Sequence, residues 1–361
     1  MHLIVIQSNC EVTKMKKAVT IKSIAEQLNL SRNTVAKALN GQYVPEATRE
    51  LVLKKAQEMN YKSLNASNLE LGGKKYRILL VAGKPLINMS YFIPLVKSIE
   101  NSCYERNYEL FQYTYTVNRT PFSSFAEYVK ELNVDGIVAI ECFDRQFVSK
   151  MINMGKPICF VDFTAGNLQL TKNYDIISAN DEKSICEIVK FIHSKYGTKH
   201  FTFVGDPTHC LSFNERHVGM RMGMLLVTGS HSAGRDILCA NESFDYGNPD
   251  AIKTEILKLK YKPECFICCN DFVARNVCNA LKSLNMRIPQ DVMVVGFDNV
   301  TDSTSMSPEI TSFSVDKEFL GSETLRTLVN RIEHPDVPSR IITVSTTRIL
   351  RESTNRISHN A

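Results

Sequence analysis

TIKSIAEQLNLSRNTVAKALNGQYVPEATRELVLKKAQEMNY, residues 20–61, carries apolar residues Ile24, Ala25, Leu28, Val35, Ala38, Leu39, Leu51, Val52, Ala56 and Met59 at helical spacing, which predicts three short helices. Thr20 and Ser31 stand where a side-chain oxygen can accept from first-turn amides. Asn40-Gly41 stands where the second helix must stop, and Pro45 at the start of the third. Only Asn29-Leu30 separate Leu28 from Ser31. That is too short for antiparallel packing and suits the sharp turn of a helix-turn-helix, with Asn29 left-handed and Leu30 plugging the angle between the helices.

With Val35, Ala38 and Leu39 turned inward, the second helix is expected to expose Arg32, Asn33 and Lys37. Arginine can donate twice to guanine O6 and N7, and asparagine can pair with adenine N6 and N7, so this face suits a helix entering the major groove N-terminus first. Thr20, Ser31, Thr34 and Asn40 are short polar residues placed for phosphates, which set register without reading sequence. The bland alternative is a three-helix bundle with a solvated polar face.

Charge separates this segment from the rest. Residues 1–76 hold twelve Lys/Arg against six Asp/Glu, a net of +6, and residues 77–361 hold 31 against 32, a net of −1. A small basic domain ahead of a large near-neutral one points to a polyanion for the first and another partner for the second. The 361 residues, 43% hydrophobic and 22% charged, have the composition of a globular chain of two or three domains. The apolar start Met1 to Ile6 lacks a basic n-region and is short for an export signal, and no apolar run is long enough to span a bilayer. Eleven cysteines, an odd count in a chain too large to need disulfide staples, fit a reduced cytoplasmic protein. Residues 1–17 read as a disordered extension with a second candidate start at Met15, 18–61 as the helix-turn-helix domain and 62–75 as a linker.

From Tyr76 to the end, residues 76–361, apolar runs alternate with helical segments: RILLVA, LFQYTY, GIVAI, ICFV, DIISA, FTFVG, DILCA, CFICC and VMVVGF. Nearly continuous apolar strands between helices mean parallel sheets covered on both faces, an α/β fold. The length, and a late strand-like run at Ile341 to Ile349, predict two lobes with crossovers. Ligands bind such sheets beyond the carboxyl ends of the strands. There stand Asp162 after ICFV, Asp206 after FTFVG, Asn270-Asp271 after CFICC and Asp298 after VMVVGF, with Arg216 opening a helix and Tyr91, Phe92, Phe163, Phe244 and Tyr246 in neighbouring loops. Carboxylates, an amide and a guanidinium match vicinal hydroxyls, and aromatic rings cover the apolar face of a sugar ring. An Asp at a strand end is also a common helix cap, an alternative open for Asp162 and Asp206.

These residues resemble the LacI/GalR-type bacterial repressors. In the first domain the likeness rests on Val19-Thr20, Ile24-Ala25, Ser31, Thr34-Val35, Leu39-Asn40, Thr48-Arg49 and Asn60-Tyr61. Further on it rests on Asp135-Gly136-Ile137, Asn214 and Arg216 with Gly219, Asn270-Asp271, Pro289, Asp291-Val292, Gly296-Phe297-Asp298 and Arg351-Glu352-Ser353-Thr354. The resemblance implies a helix-turn-helix domain followed by an effector domain with the two-lobed fold of periplasmic sugar-binding proteins. It implies Arg32, Asn33 and Lys37 as base readers and Thr20, Ser31, Thr34 and Asn40 on the DNA backbone. For the effector it implies Arg216 and Asp298, then Asp162 and Asn270, beside the aromatic candidates Phe92 and Phe244. The family's hinge proline and arginine are missing from Lys62 to Glu70. Leu69, the nearest residue to the minor-groove wedge, is one position out of register, and a plain Ser/Asn linker is the alternative. Lys84, in Gly83-Lys84-Pro85, is a charge for which the pattern has no place.

No phosphate-binding or dinucleotide glycine motif, nucleophile elbow or paired histidine motif occurs. Cys265, Cys268 and Cys269 read as a buried strand rather than a metal site. The expectation is therefore no enzyme, no cofactor and no metal. The partners expected are a pseudo-palindromic double-stranded operator, a second copy of the chain, and a small polar effector, either a sugar or sugar derivative or a purine. A solute-binding protein is the rival reading. No leucine heptad follows Arg356, which favours a dimer over a coiled-coil tetramer.

Overall fold

The computed structural model describes residues 19–39, 44–59, 75–84, 91–116, 119–166, 173–229, 237–239, 243–300, 304 and 306–356. The chain divides into two compact units, Met1–Lys75 and Tyr76–Ala361.

In the first unit, α1 (Ile21–Leu28), α2 (Arg32–Leu39) and α3 (Glu46–Glu58) close around Ile24, Ala25, Val35, Ala38, Leu39, Val44, Val52 and Ala56. The Thr20 hydroxyl accepts from the Ser23 amide at 3.2 Å while the Ser23 hydroxyl accepts from the Thr20 amide at 2.9 Å, a reciprocal cap that starts α1. Asn29 takes the left-handed conformation, φ 52°, and Leu30 packs partly buried in the angle. Ser31 Oγ accepts from the Thr34 amide at 3.0 Å and starts α2.

The second unit holds two parallel sheets. The first has six strands in the order β11 (Ile341–Val344), β5 (Tyr174–Ala179), β4 (Ile158–Val161), β3 (Gly136–Ile140), β1 (Arg77–Ala82), β2 (Glu109–Thr114). The second has four, in the order β7 (Ile237–Leu238), β6 (Phe201–Val204), β8 (Cys265–Cys268), β9 (Met293–Val295). Helices α4 (Phe92–Glu105), α5 (Phe122–Leu132), α6 (Arg145–Asn153), α7 (Asp181–Tyr196), α8 (Leu211–Thr228), α9 (Pro249–Leu257), α10 (Asp271–Ser283) and α11 (Lys317–Glu333) cover them. β10 (Ser312–Val315) pairs antiparallel with β12 (Thr346–Ile349). The run Ile341 to Ile349 is thus two strands: β11 lies parallel to β5, and after Ser345 the chain leaves for β10. β10 has no counterpart in the sequence reading, because its Ser312 and Ser314 break the apolar run that marked the other strands.

The chain passes between the lobes three times, after β5, after β10 and after β11. α11 returns from the second lobe to pack on β3, β4, β5 and α4 of the first. Its Arg331, 1% exposed, is held by Asp175 of β5 with two bonds of 2.8 Å, and Arg340 adds bonds of 2.7 to 3.3 Å to the same carboxylate. α7 and α8 cross closely because position 219 is glycine; a Cβ there would collide with the Glu182 carbonyl.

Candidate functional site

Two surfaces carry the polar chemistry. On the first unit, Arg32, Asn33 and Lys37 are exposed on the face of α2 opposite the buried Val35, Ala38 and Leu39. Thr20 and Ser31 are engaged as helix caps, and Ser31 Oγ also lies 2.8 Å from Thr34 Oγ1. A capping hydroxyl oxygen accepts, so Thr20 keeps its proton to donate outward, while in the Ser31 and Thr34 pair one hydroxyl donates to the other and one proton is left. Asn40 and Leu69 lie outside the described residues.

On the second unit a cavity of about 460 Å³ opens where the strand ends of both sheets converge. β1 and β3 bring Lys84 and Glu141 to it, β4 Asp162, β5 Ser178, and the start of α4 Tyr91 and Phe92. Asp181 comes from the start of α7, and Ser212, Phe213 and Arg216 come from the first turns of α8. Asn270, Asp271, Phe272 and Arg275 come from α10, and Asp298 follows β9.

Arg216 is the hub and is 4% exposed. Its Nε donates to Asp181 Oδ1 at 2.7 Å, Nη1 donates to the Cys269 carbonyl, and Nη2 faces Asp298 Oδ1 at 3.5 Å. The guanidinium stacks on the Phe297 ring at 3.7 Å. Burial pulls its pKa down, but Asp181 and Asp298 more than offset this and hold it above the ordinary arginine range. Burial pushes the Asp181 carboxyl up to about 7 against the opposing pull of Arg216. Asp298 is also raised by burial. Its φ is 97°, its amide donates to Phe313 O at 3.0 Å and its carbonyl accepts from Lys317 Nζ at 2.8 Å, which aims the side chain into the cavity wall.

The other expected residues have mixed placements. Asp162 lines the cavity, yet its carboxylate accepts from the Phe163 amide at 2.7 Å, the Ser212 amide at 3.1 Å and the Ser212 hydroxyl at 2.7 Å, so it ties β4 to the start of α8. Asn270 also lines the cavity while its Oδ1 caps α10, accepting from the Val273 amide at 2.9 Å. Phe92 is in the wall. Phe244 is not: it is half-buried, packs on Tyr246 with ring centroids 5.1 Å apart, and leans on the core of the second lobe. Asp206 holds a turn through Thr208, with bonds of 2.8 and 2.7 Å to one oxygen, and starts no helix.

Sequence reasoning missed Asp181, Ser178, Glu141, Phe143, His209 and Phe213. Asp181 carried the signal used elsewhere, a polar pair directly after an apolar strand, in Asn180-Asp181 after DIISA. Glu141 carried none. It is paired with Lys84 at 2.5 Å, and burial raises its carboxyl against the pull of that lysine. The pair finds a place for Lys84. Cys265, Cys268 and Cys269 lie in and after β8, fully buried, and burial pushes the Cys269 thiol up to about 12. Among the described residues no cluster of His, Cys, Asp or Glu could hold a metal ion, and no helix is long and apolar enough to cross a membrane.

Helix-turn-helix, paired parallel sheets and a cavity at their strand ends together define a two-domain LacI-like fold, the architecture of LacI/GalR-type repressors. Residues 194–354 match a periplasmic binding protein-like domain. The chain is 24% identical over 344 residues to the HTH-type transcriptional repressor PurR of Mannheimia succiniciproducens, covering 94% of this chain and 99% of that protein. It is 24% identical over 337 residues to the ribose operon repressor of Haemophilus influenzae, covering 92% and 98%. Among solved structures it is similar to the transcriptional regulator CelR in complex with cellobiose, TM-score 0.67 at 20% identity over 93% of this chain and 99% of that one. It is also similar to the lac repressor dimer bound to operator and the anti-inducer ONPF, TM-score 0.62 at 19% identity over 94% and 99%. The chain thus resembles the LacI/GalR-type repressors along nearly its whole length, and its curated relatives are transcriptional repressors.

Proposed function

We propose that this chain is a sequence-specific DNA-binding regulator, a cytoplasmic homodimeric repressor whose affinity for a pseudo-palindromic operator is set by a small polar effector in the cavity. The observation that carries the reading is the presence in one chain of an exposed face, Arg32, Asn33 and Lys37, on a capped helix, and of a cavity walled by both lobes and lined by charged and polar side chains. Arg32 and Asn33 read base edges with Lys37 beside them, and Thr20, Ser31, Thr34 and Asn40 hold phosphates. Residues 62–75 form the hinge, with Leu69 its candidate wedge.

Arg216, Asp298, Asp162, Asn270 and Phe92 contact the effector, a sugar or sugar derivative, with a purine as the alternative; the relatives include both a repressor PurR and a ribose operon repressor. The effector binds both walls and so favours one relative arrangement of the lobes. Operator favours one arrangement too, and the coupling is reciprocal: effector and operator change each other's affinity by the same factor.

Selection of bound sequences from a random DNA pool with the full chain tests the reading. Enrichment of a two-fold symmetric site is the expected result. No enrichment, with or without sugars and nucleobases present, would reduce the chain to a ligand-binding protein without a specific DNA function.

A further inference from the structure

Which ligand the cavity takes is constrained by charge. Among the described lining residues, Glu141, Asp162, Asp181, Asp271 and Asp298 face Lys84, Arg216 and Arg275. Each of these cations is already engaged. Lys84 is paired with Glu141, and Arg216 with Asp181, Asp298 and the Cys269 carbonyl; Arg275 lies over the Phe272 ring at 5.3 Å. The helix starts that would otherwise favour an anion are engaged as well, since Asp162 accepts from an amide of the first turn of α8 and Asn270 from one of α10. A phosphate or carboxylate entering here meets an acidic surplus and would have to break an existing ion pair to gain a partner.

The acceptor side is different. Asp181 Oδ2 and Ser178 Oγ are buried with no hydrogen-bond partner, and both residues, 1% and 3% exposed, line the cavity. A buried carboxylate oxygen without a donor is costly to maintain, and a ligand that donates to it removes that cost. Tyr91, Phe143, Phe213 and Phe272 add aromatic surface to the lining, suited to the apolar face of a sugar ring.

We propose that this cavity takes a hydroxylated ring bearing a protonated amine, an amino sugar in chemical class, with the ammonium donating to Asp181 Oδ2 and a neighbouring hydroxyl to Ser178 Oγ, and that it rejects phosphorylated and carboxylated sugars. This deepens the effector reading above and rests on it. Burial pushes the Asp181 carboxyl up toward its neutral form, and an ammonium beside it acts against burial by favouring the ionised form that accepts.

The test is titration calorimetry on the full chain with matched sets: glucose, glucosamine, glucuronate and glucose 6-phosphate, then the galactose and mannose counterparts. The expected result is an amine that binds about tenfold or more tighter than the neutral sugar of its set, the size of one charge-assisted hydrogen bond, with no binding of the anions. Asp181→Asn should bring the amine down to the neutral sugar. Ser178→Ala, which leaves the Arg216 pair intact, should weaken both. A neutral or anionic sugar that binds as tightly as its amine in every set overturns the proposal, as does no binding of any amine or an amine indifferent to Asp181→Asn. A chain that selects an operator yet binds no amine refutes this proposal alone, and the regulator reading stands or falls with the DNA selection.

Discussion

Arg216→Met removes the hub of the cavity and makes a quantitative claim. The substitution keeps much of the side chain's length against the Phe297 ring but leaves the Cys269 carbonyl, Asp181 Oδ1 and Asp298 without their donor. Removing one partner of a buried ion pair typically costs about 3–5 kcal/mol. The low end, about 3 kcal/mol, applies here because Asp181, already pushed up to about 7, can escape by taking a proton. At about 2–4 °C per kcal/mol that is a loss of roughly 6–12 °C in Tm for a unit of this size.

The proton sets the sign of the pH dependence. A carboxyl whose folded pKa lies above its unfolded value binds more protons folded than unfolded, so its contribution to stability falls as pH rises between the two. Without Arg216 the folded pKa rises further, and the gap between variant and wild type should widen from about pH 6 to about pH 8. Urea denaturation at both pH values, followed by the circular dichroism of the helices, measures it. Adding Asp181→Asn to Arg216→Met should recover roughly half the loss. A loss below about 1 kcal/mol, or a gap that does not grow with pH, would refute the reasoning.

Four further outcomes follow from the same structure. Asp175→Asn should destabilise by about 3 kcal/mol or more, read by urea midpoint, because buried Arg331 loses the carboxylate that takes two of its bonds. Gly219→Ala should lower stability by about 1–3 kcal/mol by driving α7 and α8 apart at the Glu182 carbonyl, and a neutral thermal scan would contradict that crossing. His217 is buried against Phe203, and its burial, then the Arg221 charge, holds its pKa down to about 4. The unfolded state therefore binds the extra proton between about pH 6.5 and 4, stability drops as pH falls through that window, and His217→Gln should flatten this part of the acid limb in a Tm-against-pH series. Arg32→Ala should relax preference at one base pair and weaken operator binding by about 1–3 kcal/mol in a competition assay, with no change in Tm.

How much of this was legible in the sequence depends on the range of the interaction that makes each feature. The helix-turn-helix was legible because its determinants are local: the Thr20 and Ser31 caps, the left-handed Asn29 and the apolar stripe all act within a few residues. The parallel sheets were legible for the same reason, since most of the buried strands, such as β1, β3, β4 and β8, are continuous apolar runs. Arg216 and Asp298 stood at strand or helix ends, where such folds place their ligands. The Lys84 and Glu141 pair joins residues that follow different strands, β1 and β3, and nothing in either neighbourhood announces it. Asp162 illustrates a second limit: a helix cap was the open alternative for it, and the structure shows capping and cavity lining in one side chain, as it does for Asn270, for which only the cavity was expected. Phe244 failed because an aromatic residue in a loop can fold back on its own lobe. Phe213 and Phe272, on the first turns of α8 and α10, face the cavity because Asp162 and Asn270 hold the starts of those helices there.

The most direct test of the account is operator affinity, measured by fluorescence anisotropy on the selected site, with and without saturating ligand, in wild type and in Asp298→Ala. The account predicts that ligand changes wild-type affinity about tenfold or more, and that the variant binds operator as wild type does but no longer responds. A wild-type affinity that no cavity ligand alters, or a variant that responds as fully as wild type, would contradict it.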